Sequence, residues 1–217
     1  VYLGSGGILE SAEPGALLID ATTSDPALAA RIALEARVRG LRALDAPVSG
    51  GDLGARNATL SIMVGGDEAA FNDALPFFEA MGKSVRLQGG PGAGQHTKMS
   101  NQLAIAGTLM GSIEAILYAE AAGLDPLRVL ESIGGGAAQS WQLVNMVPRM
   151  LKGDFEPGFY AKHYLKDLRI ALDSARAMKL KLPALELAER FFERMCDEGF
   201  AEKGTQALYL AYKRGLL

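Results

Sequence analysis

The sequence predicts an α/β layer followed by an all-helical half, with one long helix carrying the chain from the first into the second. Three observations predict it. Short apolar runs alternate with helix-period segments over residues 1–91. From Gly92 onward only helical periodicity remains. Between Gly94 and Ala122 no proline interrupts an apolar stretch rich in Ala, Leu and Ile. That stretch predicts a helix of about 43 Å at ~1.5 Å per residue.

Each element has its own signal. Val1-Tyr2 reads as the end of a strand. ALLID (16–20) is a continuous apolar run, as in a strand buried on both faces. Pro26 to Arg39 has apolar residues at helical spacing, with Ser24 or Asp25 as its cap. RALDAPV (42–48) and LSIMVGG (60–66) read as the second and third strands. Asp67 can cap a helix from Glu68 to Met81, and SVRLQG (84–89) is the fourth strand. The rhythm predicts a largely parallel sheet. The long helix ends at Gly123, a residue suited to a helix C-terminus. Further helices are expected at 126–133, 140–151, 161–179, 183–198 and 204–214, with Pro126 and Pro183 in first turns. Two domains are expected, 1–91 and 92–217.

Composition narrows the function classes. The chain has 217 residues, is 49% apolar and carries a formal charge of −3, which is globular and offers no basic face for nucleic acid. No run of eighteen or more consecutive apolar residues marks a membrane span, and no basic-then-apolar leader opens the chain. Cys196 is the only cysteine, so no internal disulfide forms. It is expected to be a buried, reduced thiol in a cytoplasmic protein. His96 and His163 lack metal-ligand spacing with Asp, Glu or Cys, so no metal site is expected.

Four stretches carry candidate chemistry. In GAGQHTKMSNQ (92–102), Lys98 shares a helix face with Asn101 or Gln102. A partly desolvated lysine can exchange a proton with a substrate, and a neighbouring amide can hold a carbonyl or hydroxyl oxygen. On spacing alone, a solvated lysine at a helix start is the plainer account. DAPVSGG (45–51) runs a strand into Ser49-Gly50-Gly51, whose free backbone N–H groups and hydroxyl suit a carboxylate; an ordinary turn is the plainer account. IDATTSDP (19–26) places Thr23 after a strand end, where open α/β sheets bind ligands; a helix cap by Thr23 or Ser24 is equally consistent. KDLRIALD (166–173) sets Lys166 and Asp167 beside a buried stripe of Leu168, Ala171 and Leu172, where a solvated pair is the ordinary outcome. Trp141 reads as core, with a position facing a ligand as the alternative. The triple glycine 134–136 reads as an interhelical loop, because no phosphate-loop lysine comes after it.

In this order, DATT…P, DAPVSGG, G-x-G-x-x-x-K-x-x-N and KDL resemble the β-hydroxyacid dehydrogenase family, which includes the 3-hydroxyisobutyrate dehydrogenases, tartronate semialdehyde reductases and glyoxylate/succinic semialdehyde reductases. The resemblance extends over essentially the whole chain. It implies a Rossmann-type α/β domain followed by an all-α domain. It implies hydride transfer between NAD or NADP and a small β-hydroxy acid or its semialdehyde. It implies that Lys98 is the catalytic acid/base, that Ser49, Gly50, Gly51 and Asn101 bind the substrate, and that Thr23, Lys166 and Asp167 serve the cofactor. A homodimer or homotetramer is implied as well. Family members begin with a strand, a glycine-rich dinucleotide loop and a helix ahead of the equivalent of Val1. The 217 residues are therefore expected to be part of a longer enzyme, with an incomplete sheet and without normal cofactor binding by themselves. Two rival readings remain. An imine reductase-like enzyme is disfavoured by the lysine at 98. A non-catalytic binding or dimerisation module is disfavoured by the retained Lys98, Asn101 and Ser49-Gly50-Gly51.

Overall fold

Strand β1 (Leu17–Asp20) and strand β2 (Arg42–Asp45) pair in parallel through helix α2 (Pro26–Val38); a short helix α1 (Ile8–Ser11) precedes them. The computed structural model describes all 217 residues, Val1–Leu217. Asp25 caps α2, its carboxylate accepting from the N–H groups of Ala27 and Leu28. Strand β3 (Val48–Ser49), helix α3 (Gly51–Arg56), strand β4 (Leu60–Gly65), helix α4 (Glu68–Met81) and strand β5 (Gly82–Gly89) complete the sheet. Asp67 caps α4 in the same way as Asp25 caps α2. Ala36 and Leu41 pack with Leu9 on one cluster. Leu44, Ile62, Val64, Ala74 and Phe78 form the other.

The sheet is mixed rather than largely parallel. β1–β2 and β4–β5 are parallel, each joined by a crossover helix, but β2 and β3 both run antiparallel to β4. Asp45 faces Gly65, Val48 faces Ile62 and Ser49 faces Ser61, which is one continuous register. Residues 42–49 thus act as one strand, interrupted at Ala46-Pro47 because proline has no N–H for the ladder. Pro47 still accepts from Met63 N–H. The connection between Ser49 and Leu60 reverses the chain without a crossover onto the other edge, so β4 can only return antiparallel. Val1-Tyr2 is not in a strand. The carbonyls of Val1 and Tyr2 instead accept from Ile8 and Leu9 at the start of α1.

Helix α5 (Ala93–Ala121) has 29 residues. Helices α6 (Pro126–Ile133), α7 (Val147–Leu151), α8 (Ala161–Ala177), α9 (Pro183–Met195) and α10 (Leu208–Lys213) come after it. Contacts divide the chain into two compact units, Val1–Ser100 and Asn101–Leu217, so the boundary lies inside α5. At the end of α5, Gly123 takes φ 72° while Leu124 N–H reaches back to Ala119 O, the hydrogen-bond pattern of a left-handed cap. Over 142–146 the helix expected from 140 widens to five-residue turns. Pro148 cannot donate to Val144, so the normal ladder is broken there. In the helical unit Leu109, Ile113, Ile116, Tyr164, Leu168, Phe192, Met195 and Leu208 are fully buried, and Tyr164 meets Phe192 edge-on at 4.8 Å. Trp141 is not core; it is 57% exposed. Cys196 is only partly buried. By length and hydropathy α5 would also pass for a membrane span, yet Leu109, Ile113 and Ile116 on it are core residues.

This packing is open to two tests. A methyl at Gly94 would collide with Met63 O and lie 2.6 Å from Asp45 O. Gly94→Ala should therefore cost about 2–3 kcal/mol or more, since backbone cannot yield as a side chain can; urea unfolding reads it directly. Glu120 accepts from Tyr209 and contacts Lys213. Burial opposes its charge, but the hydrogen bonds from Tyr209 and Lys213 outweigh it and hold the carboxyl below its usual value. Its contribution is therefore present above the ordinary glutamate range and lost as pH falls from there through the lowered native value. Glu120→Gln should lower the melting temperature at pH 7 and narrow the difference between pH 7 and acid pH.

Candidate active site

The site grows from a buried carboxylate at the end of β2. Asp45 is 5% exposed. Its two oxygens accept from Gly92 N–H at 2.8 Å and Gln95 N–H at 2.9 Å. These are donors at the open N-terminus of α5, where helix N–H groups lack intrahelical partners and the dipole favours an anion. Asp45 thus caps the helix from a strand distant in sequence. Glycine at 94 lets the first turn of α5 lie directly on the backbone of β2 and β4. The first glycine of the G-x-G pair, Gly92, sits at φ 88°.

One turn further along, Lys98 is 7% exposed, and its Nζ donates to Val48 O at 2.8 Å. The lysine is therefore not a solvated residue at a helix start. It is buried against the strand that leads directly into Ser49-Gly50-Gly51. Gly50 (φ 131°) and Gly51 (φ 63°) adopt left-handed backbone as the chain turns into α3, a conformation that other residues resist. Both glycines are exposed and Ser49 is partly so, so the turn is open to solvent, and the lysine head lies at Val48 O in the strand leading into it.

The loop after β1 joins the same cluster. Gln95, fully buried, accepts from Ser24 N–H at 3.0 Å and donates to Thr22 O at 2.7 Å. Thr23 lies between these two anchored residues. The helix cap beside it is Asp25, not Thr23 or Ser24. The Ser24 hydroxyl is buried with no hydrogen-bond partner in the chain.

In the helical unit a second polar cluster forms. Asn101 Nδ2 donates to Gln102 Oε1 at 2.8 Å, and Gln102 Nε2 donates to Asp167 Oδ2 at 2.6 Å. Lys166 Nζ pairs with Asp167 Oδ1 at 2.9 Å. Asp167 is 1% exposed and Lys166 is half-exposed. So Asp167 is no solvated charge. Because a carboxylate only accepts, Gln102 must turn its NH2 toward Asp167, which leaves its oxygen for Asn101. Tyr164 OH donates to Gln102 O, and burial together with the Asp167 charge pushes its phenol well above the usual range.

The structure thus gathers the sequence-selected residues into two sets: Thr23, Ser49, Gly50, Gly51 and Lys98 in the sheet unit, and Asn101, Lys166 and Asp167 in the helical unit. Sequence reasoning misses Asp45, Gln95 and Gln102. In the sequence Asp45 is a strand residue, Gln95 a filler between the glycines and the lysine, and Gln102 interchangeable with Asn101. No group of three or more His, Cys, Asp or Glu side chains is arranged to hold a metal.

Comparison with known proteins decides the family. Residues 92–212 match the family described as the NAD-binding domain of NADP-dependent 3-hydroxyisobutyrate dehydrogenase, and residues 1–90 match the NAD-binding domain of 6-phosphogluconate dehydrogenase. The chain belongs to the 3-hydroxyisobutyrate dehydrogenase family. It is 53% identical over 96% of its length to the uncharacterized oxidoreductase YkwC of Bacillus subtilis, covering 73% of that protein. It is 40% identical over 97% of its length to the 2-hydroxy-3-oxopropionate reductase of Escherichia coli, covering 72% of it. Among solved structures, the 3-hydroxyisobutyrate dehydrogenase of Mycobacterium tuberculosis with L-serine superposes with a TM-score of 0.87 at 31% identity, over 94% of this chain and 72% of that one. Family membership makes the chain an NAD(P)-dependent hydroxyacid oxidoreductase. Nothing in these comparisons favours imine reduction or a non-catalytic module.

The amide pair gives a stability test. Gln102→Leu would remove the donor to the buried Asp167 Oδ2 and the acceptor that Gln102 offers to Asn101. A cost of about 2–4 kcal/mol is expected, because a buried charge has lost a hydrogen bond. Unchanged urea unfolding would show that the cluster contributes nothing.

Proposed function

We propose that the full-length enzyme interconverts a small β-hydroxy acid and its semialdehyde, with Lys98 as the acid/base and the Ser49-Gly50-Gly51 turn as the carboxylate anchor. The observation that carries this is the burial of Lys98 against Val48 O. A buried ammonium with its head at a glycine turn is poised to serve a ligand held at that turn. The relatives named for 3-hydroxyisobutyrate and 2-hydroxy-3-oxopropionate support a short substrate whose carboxylate is separated from the reacting carbon by one carbon.

The residues fit a nicotinamide cofactor, NAD or NADP. The loop after β1 lies at the carboxyl edge of parallel strands, where such cofactors bind, and it carries a buried hydroxyl, Ser24, that the chain itself leaves unsatisfied. Thr23 in this loop would hold it within the sheet unit; the family resemblance gives Lys166 and Asp167 a cofactor role in the helical unit. When bound, the cofactor supplies or accepts the hydride. In reduction, Lys98 donates a hydrogen bond to the carbonyl oxygen and then its proton, as negative charge gathers there. This interaction is stronger in the transition state than in the ground state. In oxidation, neutral Lys98 removes the hydroxyl proton. Asn101, its amide turned by Gln102, steadies the reacting oxygen. The Ser49 hydroxyl and the N–H groups of the glycine turn hold the carboxylate away from the reacting carbon.

The same reading makes the enzyme a cytoplasmic homodimer or homotetramer. Tyr118, Leu127 and Trp141 are large apolar side chains more than half exposed, which supports a covered surface; a monomer on gel filtration would contradict it.

The test uses the full-length enzyme. Lys98→Ala should lower kcat by roughly 10²–10⁴-fold, the usual range for losing a general acid, with cofactor affinity unchanged. A parental kcat would remove Lys98 from the chemistry.

A further inference from the structure

Gln95 takes no part in the proposed acid/base chemistry, yet it is the most enclosed polar side chain of the sheet unit, with no exposed surface. Its amide makes two hydrogen bonds across a single residue. Oε1 accepts from Ser24 N–H at 3.0 Å, and Nε2 donates to Thr22 O at 2.7 Å. The partners fix its orientation, since an N–H can only donate and a carbonyl can only accept. The side chain therefore pairs with the loop as a neighbouring strand would, and it holds Thr23 between its two contacts. Its own N–H is held by Asp45. It stands three residues before Lys98, on the same face of the helix.

We infer that Gln95 is a positioning residue. It ties the loop that receives the nicotinamide half of the cofactor to the helical turn that carries the proton donor, and so sets the distance between hydride and proton transfer. The inference rests on the proposed roles of Thr23 and Lys98. Without the clamp, Thr22 O and Ser24 N–H lose their fixed partners and the loop can take other conformations. Lys98 stays in place, because Val48 O and Asp45 hold its helix independently. The consequence should fall on cofactor binding and hydride alignment, not on proton transfer.

Two variants of the full-length enzyme test this, with NADH and NADPH as probes. Gln95→Leu removes both hydrogen bonds. Its cofactor dissociation constant, measured by fluorescence titration, should rise on the order of tenfold. Its kcat should fall on the order of ten- to a hundredfold, as small misplacements of reacting groups do. The isotope effect from 4-deuterated cofactor should increase. Gln95→Glu keeps the shape and the acceptor for Ser24, so it stands in if the leucine variant does not fold. A protonated glutamate can still donate to Thr22 O; an ionised one cannot. Cofactor affinity should approach the parental value at acid pH and weaken as pH rises, relative to the parent at each pH. Asp45, which accepts from the backbone of residue 95, Lys98 one turn on, and Asp20 and Asp25 around the loop are common to both proteins, so the comparison isolates the new carboxyl. Lower thermal stability with parental dissociation constant and parental isotope effect in both variants would overturn the inference and leave Gln95 a packing residue. Lys98→Ala is run alongside. If that variant is as fast as the parent, the fault lies with the catalytic reading and not with Gln95.

Discussion

A carboxylate buried at the end of a strand organises the sheet unit. Asp45 is almost wholly enclosed, and a charge taken from water is costly unless hydrogen bonds replace its hydration. The replacement comes from Gly92 and Gln95 at the start of α5, where the donors are unpaired and the dipole has the right sign. One interaction thus satisfies a buried anion and an open helix end together. It also requires glycine at 94, because any side chain there would strike β2 and β4. The next residues of the helix inherit this placement: Gln95 reaches the loop after β1, and Lys98 reaches the strand before the glycine turn.

The helical unit uses the same physical device with a different donor. Asp167 is buried and meets a carboxamide and an ammonium instead of a helix end. Its acceptor-only character propagates: it orients Gln102, which orients Asn101. Buried polar clusters of this kind are stable only when each member is satisfied. Asp167 and Gln102 are the buried members of this cluster, and each is the other's hydrogen-bond partner.

Much of the fold is legible in the sequence, for reasons that can be traced. Asp25 and Asp67 sit immediately before apolar helical periodicity, and both are caps. Gly123 ends α5 because few residues other than glycine accept its φ. The mixed sheet is not legible, because strand direction depends on how the chain turns between Ser49 and Leu60, and periodicity is blind to direction. The widened turn at 142–146 has a visible cause in Pro148, but its effect on the helix needs coordinates. Burial of Lys98 is not legible either. Spacing fixes which face of a helix a residue occupies, not what that face meets. Asp45 and Gln95 escape notice because their partners lie 47 to 73 residues away in sequence, and local patterns carry no signal at that range.

If Lys98 is the acid/base, the Asp45 cap acts on catalysis by placing it. A double-mutant cycle in the full-length enzyme, read by single-turnover hydride transfer, tests it most directly. Asp45→Asn and Lys98→Ala are measured alone and together, each normalised to its folded fraction. Asp45→Asn should slow the parent but add little once Lys98 is already alanine. Two losses that multiply fully in the double variant would mean that the carboxylate and the lysine act independently, and would contradict the account.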